Sequence, residues 1–146
     1  MWYENITPMV LTILYLRLSD EYYDKYPKPI NVTSKGQNLK DADLPCVYIQ
    51  ELSTMELGRE LEPGEICAIQ ADYQIEVYSN KSQDEAKKIA GSVTQVMKDL
   101  GFGVMVLPYP VNMNGIYRAV SRFRRAIGSD DVDAIFNDNN EPSEDV

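Results

Sequence analysis

The chain has 146 residues, 44% of them hydrophobic, with 23 acidic side chains against 14 basic ones, no histidine and a formal net charge of −9. That is enough chain, with ordinary enough apolar content, for one domain with its own core rather than a disordered polymer. The acidic balance argues against an electrostatic grip on nucleic acid, and no apolar run approaches the roughly 20 residues of a membrane span.

Met1 to Asn5 lack the basic segment and small-residue cleavage site of a signal peptide, so the expected site of synthesis and folding is the cytoplasm. Thr7-Pro8 is a helix start, because proline at the first helical position lacks only a hydrogen that had no partner there. Met9 to Ser19 is apolar on nearly every side, which predicts a helix buried against its own sheet or against a neighbouring subunit. Tyr22, Tyr23 and Tyr26, with Pro27 and Pro29, end it; the aromatic cluster reads either as a contact surface or as the plug of a helix end.

From Pro27 to Asp43 the chain is irregular, with Ile30 to Thr33 as a candidate short edge strand. Pro45 to Ser53 is a β-rich run, and the polar Met55 to Gly64 reads as a long hairpin connection. Next comes the clearest unit of the chain. Ile69, Ala71, Tyr73, Ile75 and Val77 alternate with polar residues, the period of a strand with one buried face. The period then lengthens: Ala86, Ile89, Ala90, Val93, Val96, Met97 and Leu100 form one helical stripe. Ser82 and Glu85 have capping-box spacing, and Gly101 stands where a left-handed cap belongs.

Phe102, Val104 and Val106 predict a short strand closed by Pro108 and Pro110. Asn114-Gly115 is the strongest hairpin signal, and Ile116 to Ile127 is the last strand. Seven acids and no base follow in residues 129–146, leaving 16 acids against 14 bases in the preceding residues. The expected architecture is α+β: an antiparallel or mixed sheet of about four strands with two helices packed on one face. It occupies a single domain, residues 1–128, followed by an acidic, flexible tail, residues 129–146.

Without histidine, serine–histidine and cysteine–histidine nucleophile systems are excluded, and phosphate-binding glycine loops and C-x-x-C are missing. The expectation is no enzyme, no cofactor and no metal site. Cys46 and Cys67 both fall in predicted strands, as free thiols of a reducing compartment. The one basic concentration is Arg118, Arg122, Arg124 and Arg125, three of them on one strand face. It reads as a solvated outer face, as a subunit or partner interface, or as a nucleic-acid contact. The acidic tail of one copy could neutralise the stripe of the next.

Taken together, Ala71-Asp72-Tyr73-Gln74-Ile75-Glu76-Val77-Tyr78-Ser79-Asn80-Lys81, the alanine-rich helix, Leu100-Gly101-Phe102, and Gly115-Ile116-Tyr117-Arg118 with Arg122-Phe123 resemble the tail-terminator (tail-completion) proteins of long-tailed bacteriophages. The opening helix and the Pro45-Cys46-Val47-Tyr48-Ile49 strand fit the same pattern, so the resemblance spans roughly Thr7 to Gly128. It implies a small α+β virion protein, a homo-oligomer that closes a ring of about six copies by head-to-tail contacts. The ring would cap the tail tube, end its polymerisation and meet the head–tail connector, with DNA only passing through the lumen. Its place would be the virion tail or neck, after assembly in the host cytoplasm. The candidate interface residues are the four arginines and Tyr22, Tyr23 and Tyr26, and the loops Ile30 to Asp43 and Leu52 to Gly64 would contact tube or neck. The alternatives are a head–tail joining (neck) protein, a non-viral protein-binding adaptor, and a carboxylate-based nuclease or hydrolase.

Overall fold

The structure, a computed structural model, describes residues 1–35, 43–58, 64–112 and 115–137. A 3-10 turn, Trp2–Asn5, leads into helix α1, Ile6–Glu21; strands β1, Asn31–Thr33, β2, Cys46–Leu57, and β3, Ala68–Ser79, follow. Helix α2, Gln83–Asp99, strands β4, Gly103–Pro110, and β5, Tyr117–Gly128, a 3-10 turn, Ser129–Asp131, and helix α3, Val132–Phe136, complete the order.

The sheet is open and mixed, in the order β1-β2-β3-β5-β4. β1 runs parallel to β2, and every other pair is antiparallel. The fold is therefore α+β as the period change announces, with five strands and three helices where about four and two are expected. The extra strand is the short Asn31–Thr33 edge. The extra helix lies where the tail begins in the sequence reading: Ile135 and Phe136 are buried in the common core. Two apolar side chains in an acidic segment suffice, because a five-residue helix needs only one face to dock.

Ile69, Ala71, Tyr73, Ile75 and Val77 of β3 share one core with Ile13, Leu14 and Leu18 of α1 and Ile89, Val93 and Met97 of α2. All three helices thus cover a single face of the sheet. Each large apolar side chain so buried contributes on the order of 1.5–3 kcal/mol relative to exposure. Tyr73 is buried in mid-sheet, where its hydroxyl pairs with Thr7 Oγ1 at 2.8 Å and its ring meets Phe102 at 5.9 Å. Thr7 is therefore a core anchor within α1, not its cap; Asn5 occupies the cap position without a side-chain bond.

Helix α2 keeps half of its expected capping box. Ser82 Oγ accepts from Glu85 N at 3.1 Å, but the Glu85 carboxylate accepts from Ser79 Oγ at 2.7 Å. At the other end Gly101 takes φ +85, and Phe102 N donates to Met97 O and Gly101 N to Lys98 O, both at 2.9 Å. Those two bonds form a Schellman cap, with Phe102 packed into the core beneath it.

β2 is longer than its sequence pattern suggests. Residues 50–56 continue the strand although all are exposed, so no alternation of polarity marks them. The expected connection from Met55 shrinks to residues beyond Leu57, of which 59–63 lie outside those described. Cys46 is fully buried, whereas Cys67 is exposed just ahead of β3, and no disulfide joins them.

Candidate assembly surfaces

The arginine stripe is built by register. β5 pairs with β3 along its whole length, setting Arg124 opposite Asp72, Arg122 opposite Gln74 and Arg118 opposite Tyr78. With a side-chain period of 2, these arginines and the β3 acids share the face that carries no helix. Arg122 grips Asp72 with two bonds, Nε to Oδ1 at 3.1 Å and Nη2 to Oδ2 at 2.6 Å. Arg124 Nη2 adds a third at 3.1 Å. Arg118 Nη2 donates to Glu76 Oε1, and Glu76 also accepts from Tyr78 Oη at 2.8 Å and Gln74 Nε2 at 3.1 Å.

Asp72 and Glu76 are buried at 1% and 5% exposure on a helix-free face, roofed by the guanidinium groups and their stems. The hydrogen bonds from Arg122, then those from Arg124, hold the Asp72 carboxyl below its ordinary range and outweigh burial, which pushes the other way. The stripe is thus a cross-strand ladder with its counter-charges in place, not a bare basic strip. A carboxylate engaged this way is a poor general base.

Arg125 stands apart on the helix side. Its Nη1 donates to Leu100 O, completing the C-terminal cap of α2 from another strand. The structure therefore brings three of the four arginines together and gives the fourth a capping role. The tyrosines also separate. Tyr22 is buried, with its hydroxyl on Ser92 Oγ at 2.9 Å; Tyr26 is half-buried with Lys81 Nζ 5.4 Å from its ring centre; Tyr23 is 76% exposed. Burial pushes the Tyr26 hydroxyl up to about 12, with Glu85 adding to it. Only Tyr23 is a free contact residue of the three.

Unpaired sheet edges are expected ring contacts, but the residues that form them are ones sequence reasoning did not name as such. β4 exposes Met105, Val106, Leu107 and Tyr109, and β2 exposes Leu52 and Met55 in its second half. The one advance signal was the run Val104-Met105-Val106-Leu107, too apolar on both faces for a strand with one wet side. Helix α1 adds Tyr15 and Leu16, at 44% and 45% exposure, the remainder of its all-round apolar character.

The clefts among the described residues are open and unspecialised. One of about 570 Å³ at the end of β3 and β5 is lined by Glu65, Asp130 and Asp131 with Cys67 and Gly128. Among the described residues no three histidine, cysteine or acidic side chains gather as a metal site, and no helix is long and apolar enough to cross a membrane. Of the two loops expected to meet tube or neck, residues 36–42 and 59–63 lie outside those described. No protein-family model matches this sequence, and no curated protein matches it.

Proposed function

We propose that this chain is a tail terminator of a long-tailed bacteriophage, a structural ring protein that caps the tail tube and offers a surface to the head connector. The observation that carries the reading is the unlikeness of the two ends of the sheet. One end is an apolar, charge-free strand, β4; at the other, beyond the three residues covered by β1, lies the far half of β2, bearing Glu51 and Glu56. A surface poorly matched to itself, with a different surface across the molecule, favours head-to-tail association, the kind that closes rings. The residues of the family resemblance support it: they occupy β3, the capped α2 and the start of β5, the frame that holds those two ends apart.

The reading is structural rather than catalytic. Asp72 and Glu76, the acids best placed on a rigid scaffold, are engaged by arginines, and the remaining excess of acid suits a passage that DNA crosses without sticking. Electron microscopy of particles made without this gene tests it. Overlong or headless tails are expected; tails of normal length on joined heads would overturn it. Normal-length tails detached from heads would move the protein to the neck.

A further inference from the structure

We infer that copies of this chain join by sheet extension, the unpaired half of β2 in one copy lying along the β4 edge of the next. This deepens the ring reading and rests on it for the number of copies; the pairing itself is argued from the two edges.

β2 pairs with β3 from Cys46 to Leu57, but β1 covers its other side only at Cys46–Tyr48. Among the described residues, no strand lies against residues 49–57 on that side. Over nine residues, about 30 Å at ~3.4 Å each, the alternate backbone donors and acceptors that point away from β3 are therefore left without a strand partner among the described residues. Isolated domains usually blunt such an edge with lysine or proline. This one, Ile49-Gln50-Glu51-Leu52-Ser53-Thr54-Met55-Glu56-Leu57, has neither, and it exposes Leu52 and Met55. Its only blunting features are Glu51, Glu56 and a bulge between Glu51 and Ser53, which leave Leu52 and Met55 exposed.

β4 forms the opposite edge, with Leu107 69% exposed. Its register against β5 shifts twice, and it carries Pro108 and Pro110. Val111 N donates to Arg118 O at 2.8 Å, so by alternation the nitrogen of Pro110 faces away from β5. Strand addition on β4 is therefore confined to Gly103–Leu107, with Tyr109 as a flanking side-chain contact.

Like-with-like pairing is the less favoured alternative. Two β2 edges would collect four glutamates without a base among these residues, and two β4 edges would set four prolines in one seam. Unlike pairing lays the acidic strand beside an uncharged one. Behind that strand stand Arg124, opposite Gly103, and Arg122, opposite Val106.

The test is native mass spectrometry and sedimentation of the full chain, of Met55→Lys and of Leu107→Lys, each checked for an unchanged melting temperature. Wild type is expected to assemble beyond a dimer, and each variant to associate about tenfold or more weakly. An equimolar mixture of the two variants should give one-to-one pairs and nothing larger, since each keeps the edge the other lacks. If Leu107→Lys lowers the melting temperature, Tyr109→Lys reads the same edge. Assembly unchanged by either substitution, a mixture that forms no pair, or a monomeric wild type would overturn the inference. The ring reading is judged separately, by the tails of particles made without the gene.

Discussion

Arg122 of β5 reaches diagonally to Asp72 of β3, two residues from its direct partner, as a fork on a carboxylate with contacts of 3.1 and 2.6 Å. The carboxylate is buried while the guanidinium is 39% exposed, so the two partners are not equivalent. Removing the acid leaves two arginines facing each other without their counter-charge. Removing one arginine leaves the acid with the other. Asp72→Ala should therefore destabilise the fold by about 2 kcal/mol, and Arg122→Ala by clearly less, because its guanidinium is solvent-screened. Urea denaturation of both variants measures the difference, and equal losses would contradict the asymmetry.

The same pair sets an acid limit. Arginine hydrogen bonds hold the Asp72 carboxyl below its usual value, and the bond from Arg17 does the same for Asp99 at the end of α2. Because the folded-state values are depressed, their stabilisation is complete above the unfolded value, ~3.9, and is lost as pH falls through the folded values. Melting temperature should fall more slowly with acid in an Asp72→Asn, Asp99→Asn variant than in wild type between about pH 5 and 2. Parallel curves would refute the assignment.

Gly101 is bound to its identity twice over. Its φ is +85, and an added Cβ would run into the Arg125 guanidinium that caps α2. Gly101→Ala should cost at least ~1–2 kcal/mol from backbone conformation alone. Gly101→Ala in an Arg125→Ala background should recover the collision part of the loss, which a double-mutant cycle by chemical denaturation isolates.

Phe136 anchors the segment after β5. Buried at 2% exposure, it makes Phe136→Ala cost ~3–5 kcal/mol if the docking is as tight as in an ordinary core. Thermal unfolding measures it, and a change below about 1 kcal/mol would mean that α3 adds little to the core.

What the sequence made legible follows from how each residue is buried. α2 has one wet face and β3 has one polar face roofed by arginines, so polarity alternates with geometry in both, and both were readable to within a residue or two. The far half of β2 is exposed on both faces and α3 has only two core residues, so neither leaves a periodic trace. The arginines were readable as a stripe, but their partners Asp72 and Glu76 lie some fifty and forty residues away. Only strand register, which no local pattern reveals, shows that three of the arginines meet two carboxylates. Thr7 likewise looked like a cap until its distant partner Tyr73 was known.

Trp2 is the single tryptophan, and its indole Nε1 donates to Ile66 O at 2.7 Å, pinning the opening turn to the residues ahead of β3. The chain thus carries one indole fluorophore, seated at the junction of its first turn and its central strand. Release of that junction would shift indole emission on its own. Comparing it with far-ultraviolet ellipticity would tell whether the first turn detaches before the sheet melts or together with it.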